Sequence, residues 1–185
     1  MKKQKIEINE ELLENETGYK TNVIFTIIFI IASIIIVVSP FTVINKLSTF
    51  SLICDFIFCI LFSLMFNLIP LIKLNKKKKI IKQIRNKNYK VVLDQIANIE
   101  VTLSSDNEYQ NKNHYLTLKE YSKIYNKDFP VYSDFFRKVE KGDFVYLIFI
   151  NNDTTPLFIF KQEDYYYNGI LSNIKEIKIK DNKIK

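Results

Sequence analysis

His114 is the single histidine of this 185-residue chain, and Cys54 and Cys59 are its only cysteines. Nucleophilic catalysis asks for a base beside a thiol or hydroxyl, and a zinc site asks for about four nitrogen or sulfur ligands. Neither set can be assembled from this inventory. On a helix, five residues of separation turn Cys54 and Cys59 about 140° apart, so they neither bridge nor share a ligand; they read as small packing residues. His114 falls in a strand-like stretch beside Tyr115 and suits a solvated or hydrogen-bonded role. The carboxylate pairs Glu163-Asp164 and Glu140 with Asp143 fit solvated turns better than a general acid and base. With only Gly18, Gly142 and Gly169, a glycine-rich phosphate loop is excluded. No catalysis, metal or cofactor is expected.

Charge is the informative chemistry. Lys73 to Lys90 holds nine basic residues and no acid, while the segments before and after it are each within one unit of neutrality. Lysine abundance alone says little here, because 30 Ile and 25 Lys against 2 Ala and 2 Arg is the skew of an AT-rich genome. The clustering is what counts. One basic run in an otherwise neutral chain, with no aromatic platform or recognition fold, argues against nucleic acid as a partner. Next to an apolar span it marks the cytoplasmic side. Lys76, Lys77, Lys78, Lys79, Lys82 and Arg85 are the candidate contacts for anionic headgroups of the inner leaflet, each lysine worth about 1 kcal/mol near the surface. If a helix continues past Leu74, then Ile80, Ile81 and Ile84 share one arc and could lie against that leaflet.

Two stretches must position this run. Residues 21–45 and 56–72 carry no charge, and an apolar helix needs about 20 residues to cross ~30 Å of hydrocarbon. The first suffices, and the second does so if it starts near Phe50 and includes Asp55. The long glutamate-bearing stretch ahead of the first span, its apolar length and the lack of a small-residue cleavage site favour an uncleaved anchor over a signal peptide. Between the spans, Pro40, Asn45, Lys46 and Ser48 suit a short turn. The expected organisation is a polar tail (1–20), a transmembrane hairpin (21–74, with spans near 22–44 and 50–72), a basic neck (75–90) and a small soluble domain (91–181). Both termini are expected in the cytoplasm of a two-pass cell-membrane protein. The Asn-x-Thr matches at Asn15 and Asn152 then lie in the cytosol and carry no glycan.

Polar groups inside a bilayer are costly and draw a functional question. Asp55 sits about 7 Å in from the outer end of the second span at 1.5 Å per residue, shallow enough to reach headgroups. Asn67 and Asn22, near the cytoplasmic ends, suit hydrogen bonds between the spans. Phe50, Cys54, Phe58, Phe62 and Phe66 form a stripe fit for lipid, hairpin packing or a partner helix.

After Lys90 the pattern becomes short β-type runs: 91–103 with an irregularity at 95–98, then 114–120, 129–131, 144–150 and 157–160. Ser133 is a plausible cap for one short helix over 134–141, closed by Gly142. The tyrosine run 165–167 should cover the sheet, and the Ile/Lys alternation after Asn173 suggests a last strand or a frayed end. The fold class is α+β: a two-helix hairpin joined to a mainly-β, barrel-like domain of about five strands. The motif Val139-x-x-Gly142-Asp143-x-x-Tyr146, with Pro156-Leu157 after it, resembles bacterial membrane proteins of unknown function. In those, transmembrane helices precede a small β-domain with Gly-Asp before a long strand and Pro before the next. The resemblance implies this fold and no activity.

The expected function is a membrane-anchored module whose cytosolic domain binds an unidentified protein or assists a membrane complex, with Tyr115, Tyr121, Tyr125, Tyr132 and Tyr146 as contact material. An immunity protein against a membrane-acting toxin is the alternative. A channel or transporter subunit, built from homo-oligomers lined by Asp55 and Asn67, is the third class.

Overall fold

The computed structural model describes residues 4–38, 49–103, 112–150 and 153–181. The expected turn residues Pro40, Asn45, Lys46, Ser48, Asn151 and Asn152 lie outside them. Two compact units emerge, residues 13–82 and residues 1–12 with 83–185.

In the chain's first part, β1 (Ile6–Glu7) leads into α1 (Glu10–Glu16). The Asn9 side-chain oxygen accepts from the Leu12 N–H at 2.9 Å, and Glu10 and Glu11 place negative charge on the exposed amides of the first turn. Gly18, at φ +62°, ends that helix in the left-handed region that glycine tolerates. The Thr17 hydroxyl then accepts from the Tyr19 N–H at 3.2 Å and opens α2 (Tyr19–Val38). At 20 residues, α2 is about 30 Å long. Helix α3 (Thr49–Arg85) runs 37 residues through Pro70 and most of the basic run, so the expected neck continues the second apolar helix as far as Arg85, while Lys87 stands at φ +55° and Tyr89 and Lys90 already open the next strand. Both apolar helices are long enough to cross a membrane.

Antiparallel pairing within the first unit follows a constant register. Gly18 lies by Lys77, Phe29 packs on Phe66, and Ser33 meets Ser63 and Asn67. The close approach is made where side chains are small: Thr26, Ser33 and Ser63 are its buried residues at the helix seam.

The second unit is a five-stranded antiparallel sheet in the order β4-β3-β2-β5-β6. Its organiser is β2 (Tyr89–Leu103), a 15-residue strand that changes partners midway. Tyr89–Gln95 pairs with β5 (Phe144–Ile150), and Ile96–Leu103 pairs with β3 (Lys112–Leu118). The irregularity expected at 95–98 is a bulge at Ala97, and such a bulge bends and twists a strand. The sheet curls there into a half-barrel. At the edges lie β4 (Phe129–Val131), where Pro130 blocks further ladder growth, and β6 (Phe158–Lys161).

Both faces of this antiparallel sheet are covered, so Val145–Ile150 is buried at every position. One face holds the main core of Val92, Leu116, Leu118, Tyr121, Val145, Leu147 and Phe149, closed by Ile174 and Ile177. On the other, Val91, Tyr146, Ile148 and Phe160 are buried as well.

Four expectations are corrected. Residues 1–20 form no plain tail: β1 pairs in parallel with β7 (Tyr165–Tyr166), and Ile8 and Leu13 are buried. The helix expected over 134–141 shrinks to α5 (Ser133–Phe136), whose N-cap is Tyr132 without a side-chain bond; Val139 leaves helical phase to fill the core, and Gly142 turns at φ +97°. Instead of one short helix there are three, with α4 (Tyr121–Tyr125) and α6 (Ile174–Asp181) added. The Ile/Lys alternation after Asn173 resolves as α6, because Ile174 and Ile177 share a helical face and both enter the core.

Candidate functional site

The hairpin unit carries a groove of about 490 Å³. Its floor and walls are apolar, chiefly Phe25, Phe29, Phe62 and Phe66. Phe29 and Phe66 lie with ring centroids 5.1 Å apart, and the stripe continues through Phe66 to Phe62 at 5.4 Å and Phe62 to Phe58 at 6.2 Å. Phe62 and Phe66 of the stripe thus line the groove, and Cys54 and Phe58 do not. At one end sit Asn22 and Lys73, on the same level by the antiparallel register. Pro70 also lines the groove; lacking an N–H, it leaves the Phe66 carbonyl without its helical donor.

Below the groove runs a polar seam. The Asn67 amide nitrogen donates to the Ser33 hydroxyl at 2.6 Å and to the Ser63 carbonyl at 2.8 Å. Its carbonyl oxygen is buried without a hydrogen-bond partner. Asn67 therefore pairs the helices, as its position suggested. Asn22 does not join it across the hairpin but stands in the groove, where its backbone carbonyl accepts from the Thr26 hydroxyl. Asp55 is exposed, and it stands about 18 Å along α3 from Asn67. The two polar residues expected to line a channel do not converge within this chain.

Along the basic run Lys76, Lys78, Lys79, Lys82 and Arg85 are exposed, and Lys77 is half-buried, its ammonium 3.5 Å from the Gly18 carbonyl oxygen. The isoleucines expected against a leaflet behave otherwise: Ile81 and Ile84 are 8% and 0% exposed. They are spent on the protein's own interior, whereas Ile80 is half-buried.

In the sheet unit the charged cluster is Lys161 with Asp143 and Glu163, at 3.0 and 2.8 Å. The Lys161 ammonium also donates to the Lys138 carbonyl at 3.1 Å, so its three protons have three acceptors. The bond to Glu163 above all, with Asp143 beside it, raises the Lys161 pKa. Burial pushes Asp143 up, but the Glu140 N–H and the ammonium outweigh this and hold its carboxyl below the ordinary value. This is a strut, with no free base. Gly142 is fixed in the same corner, its N–H donating to the Ile96 carbonyl and its own carbonyl accepting from the Gln95 side chain. Pro156 is buried just ahead of β6.

A residue that sequence reasoning did not single out is Asp94, 3% exposed. Its carboxylate accepts from the N–H groups of Gln95, Glu120 and Tyr121 at 2.7 to 3.1 Å. It therefore satisfies the amides at the start of α4. The signal was an acid inside an apolar strand, where only a hydrogen-bonded role is tolerated.

His114 packs its ring on Phe136 at 4.4 Å. Of the five tyrosines taken as contact material, Tyr121 and Tyr146 are core, Tyr115 and Tyr125 are half-buried, and Tyr132 alone is well exposed, at 88%. Among the described residues no cluster of His, Cys, Asp or Glu suits a metal ion.

No family model, curated protein or solved structure matches the chain.

Proposed function

We propose that the α2–α3 hairpin spans a cell membrane with both chain ends in the cytoplasm, and that the sheet unit is a non-catalytic binding module for another protein or a membrane complex. One observation carries the first half. Nine large apolar side chains between Ile24 and Val38, and twelve between Ile53 and Ile72, are exposed, and only 11% and 6% of the most apolar stretch of each helix is buried. A core helix of a water-soluble protein would be mostly covered. At about 1 kcal/mol for each of these half-exposed side chains, water contact would cost some 20 kcal/mol, beyond the roughly 5–15 kcal/mol of a folded domain. Lipid is the solvent that removes this cost.

Orientation rests on the basic run, which sits at the inner end of α3. At about 55 Å, that helix exceeds the ~30 Å hydrocarbon layer and carries its lysines out to the headgroups. A binding role is supported by apolar side chains left open on the sheet unit: Ile170 at 92%, Tyr132 at 88% and Leu171 at 45% exposed. The test is in-cell crosslinking from a photoreactive residue at Ile170 in the full chain. A single defined adduct that disappears with Leu171→Glu supports the module; no adduct from Ile170 or Tyr132 contradicts it.

A further inference from the structure

We infer that the groove between α2 and α3 binds one anionic glycerophospholipid of the inner leaflet, an acyl chain lying along the phenylalanines and the phosphate on Lys73. The inference rests on the membrane reading above and adds to it a defined site and a lipid class. Length supports it: from Phe62 to Lys73 the groove follows α3 for about 16 Å, half of the ~30 Å hydrocarbon layer and so the depth of one leaflet's acyl region. Chemistry is graded along that length. Phe25, Phe29, Phe62 and Phe66 supply an apolar, semi-rigid trough of about 490 Å³. At its open end stand the exposed ammonium of Lys73 and the amide of Asn22, a cation and a hydrogen-bond donor at the depth of a phosphodiester. A neutral partner helix would have no use for a cation at that mouth, and a zwitterionic lipid offers no net charge to match the surrounding run from Lys73 to Lys90.

The test uses the full chain in micelles doped with equal amounts of phosphatidylglycerol and phosphatidylcholine, with bound lipid read by native mass spectrometry. Wild type should retain phosphatidylglycerol at least about fivefold over phosphatidylcholine. Lys73→Gln should abolish that preference, while Lys73→Arg and the exposed neck substitution Lys78→Gln keep it. On wild type alone, phosphatidylglycerol with a photoreactive acyl tail should label peptides containing Phe25–Phe29 and Phe62–Phe66. Equal retention of both lipids, equal loss on Lys78→Gln, labelling elsewhere, or a second copy of the chain filling the groove as a stable dimer would each overturn the site. Carbonate washing of cell membranes separates the two failures. A chain that stays in the membrane yet shows no lipid preference refutes the site only, whereas a chain released into the wash refutes the membrane reading and the site with it.

Discussion

Asn67 donates to the Ser33 hydroxyl across the hairpin at 2.6 Å, a shorter bond than the 3.5 Å one from the Ser63 hydroxyl to the Ser33 carbonyl. Away from water such a bond has no solvent competitor, yet measured interhelical bonds contribute only about 0.6–2 kcal/mol. Ser33→Ala should therefore weaken helix pairing by about 1 kcal/mol. Asn67→Leu should cost less, because it also removes the buried, unpartnered carbonyl oxygen. Energy transfer between dyes on the two helices, followed through an SDS titration, measures both; a larger loss for Asn67→Leu would contradict the asymmetry.

Asp94 should be the most sensitive polar position of the sheet unit. Asp94→Ala leaves the Glu120 and Tyr121 N–H groups without their acceptor in a buried setting, at a cost of about 2–4 kcal/mol. Asp94→Asn keeps one acceptor oxygen and should recover part of it. Urea unfolding of the full chain in detergent, read by tyrosine near-ultraviolet dichroism, provides the values.

The Lys161 strut fixes a pH window. Asp143 is lowered, so its contribution is present above about pH 3.9 and is lost as pH falls through its depressed folded value. Lys161 is raised, so its contribution is complete below about pH 10.4 and is lost as pH rises through the higher folded value. Between those limits stability owed to this pair should be flat with pH. Lys161→Met should lower it by about 1 kcal/mol throughout the plateau and little at the acid end, a small figure because the cluster is partly solvated. Thermal midpoints of wild type and variant from pH 2.5 to 8 are the measurement.

Gly18 predicts a local strain. Its φ of +62° and a position whose added Cβ would stand 3.3 Å from the Lys77 ammonium disfavour any side chain. Gly18→Val should cost about 1–2 kcal/mol, more than the same change at exposed Gly169, where φ is not positive but a tyrosine ring must shift. Proteolytic nicking between α1 and α2 would report it.

Much of the sheet was legible because strands declare themselves locally. Phe129–Val131 and Phe144–Ile150 have the expected bounds, and the irregular stretch 95–98 is the bulge where the sheet curls. Elements settled by distant partners were not legible. Ile6–Glu7 becomes a strand only because Tyr165–Tyr166 offers a ladder, and Ile174 with Ile177 fits either a strand or a helix until the core accepts one face. At the groove, Asn67 and the phenylalanine stripe were visible as types. Lys73 went unnoticed as a site residue as one of nine basic residues in a run, since only the register of α2 against α3 sets it level with Asn22.

The decisive measurement is labelling of single cysteines, in a Cys54→Ser, Cys59→Ser background, by a membrane-impermeant maleimide added to intact cells. Ser48→Cys should react from outside, whereas Tyr132→Cys, on a residue 88% exposed in the fold, should react only after the cells are opened. Reaction of Tyr132→Cys in sealed cells would contradict a cytoplasmic sheet unit and with it the two-span topology.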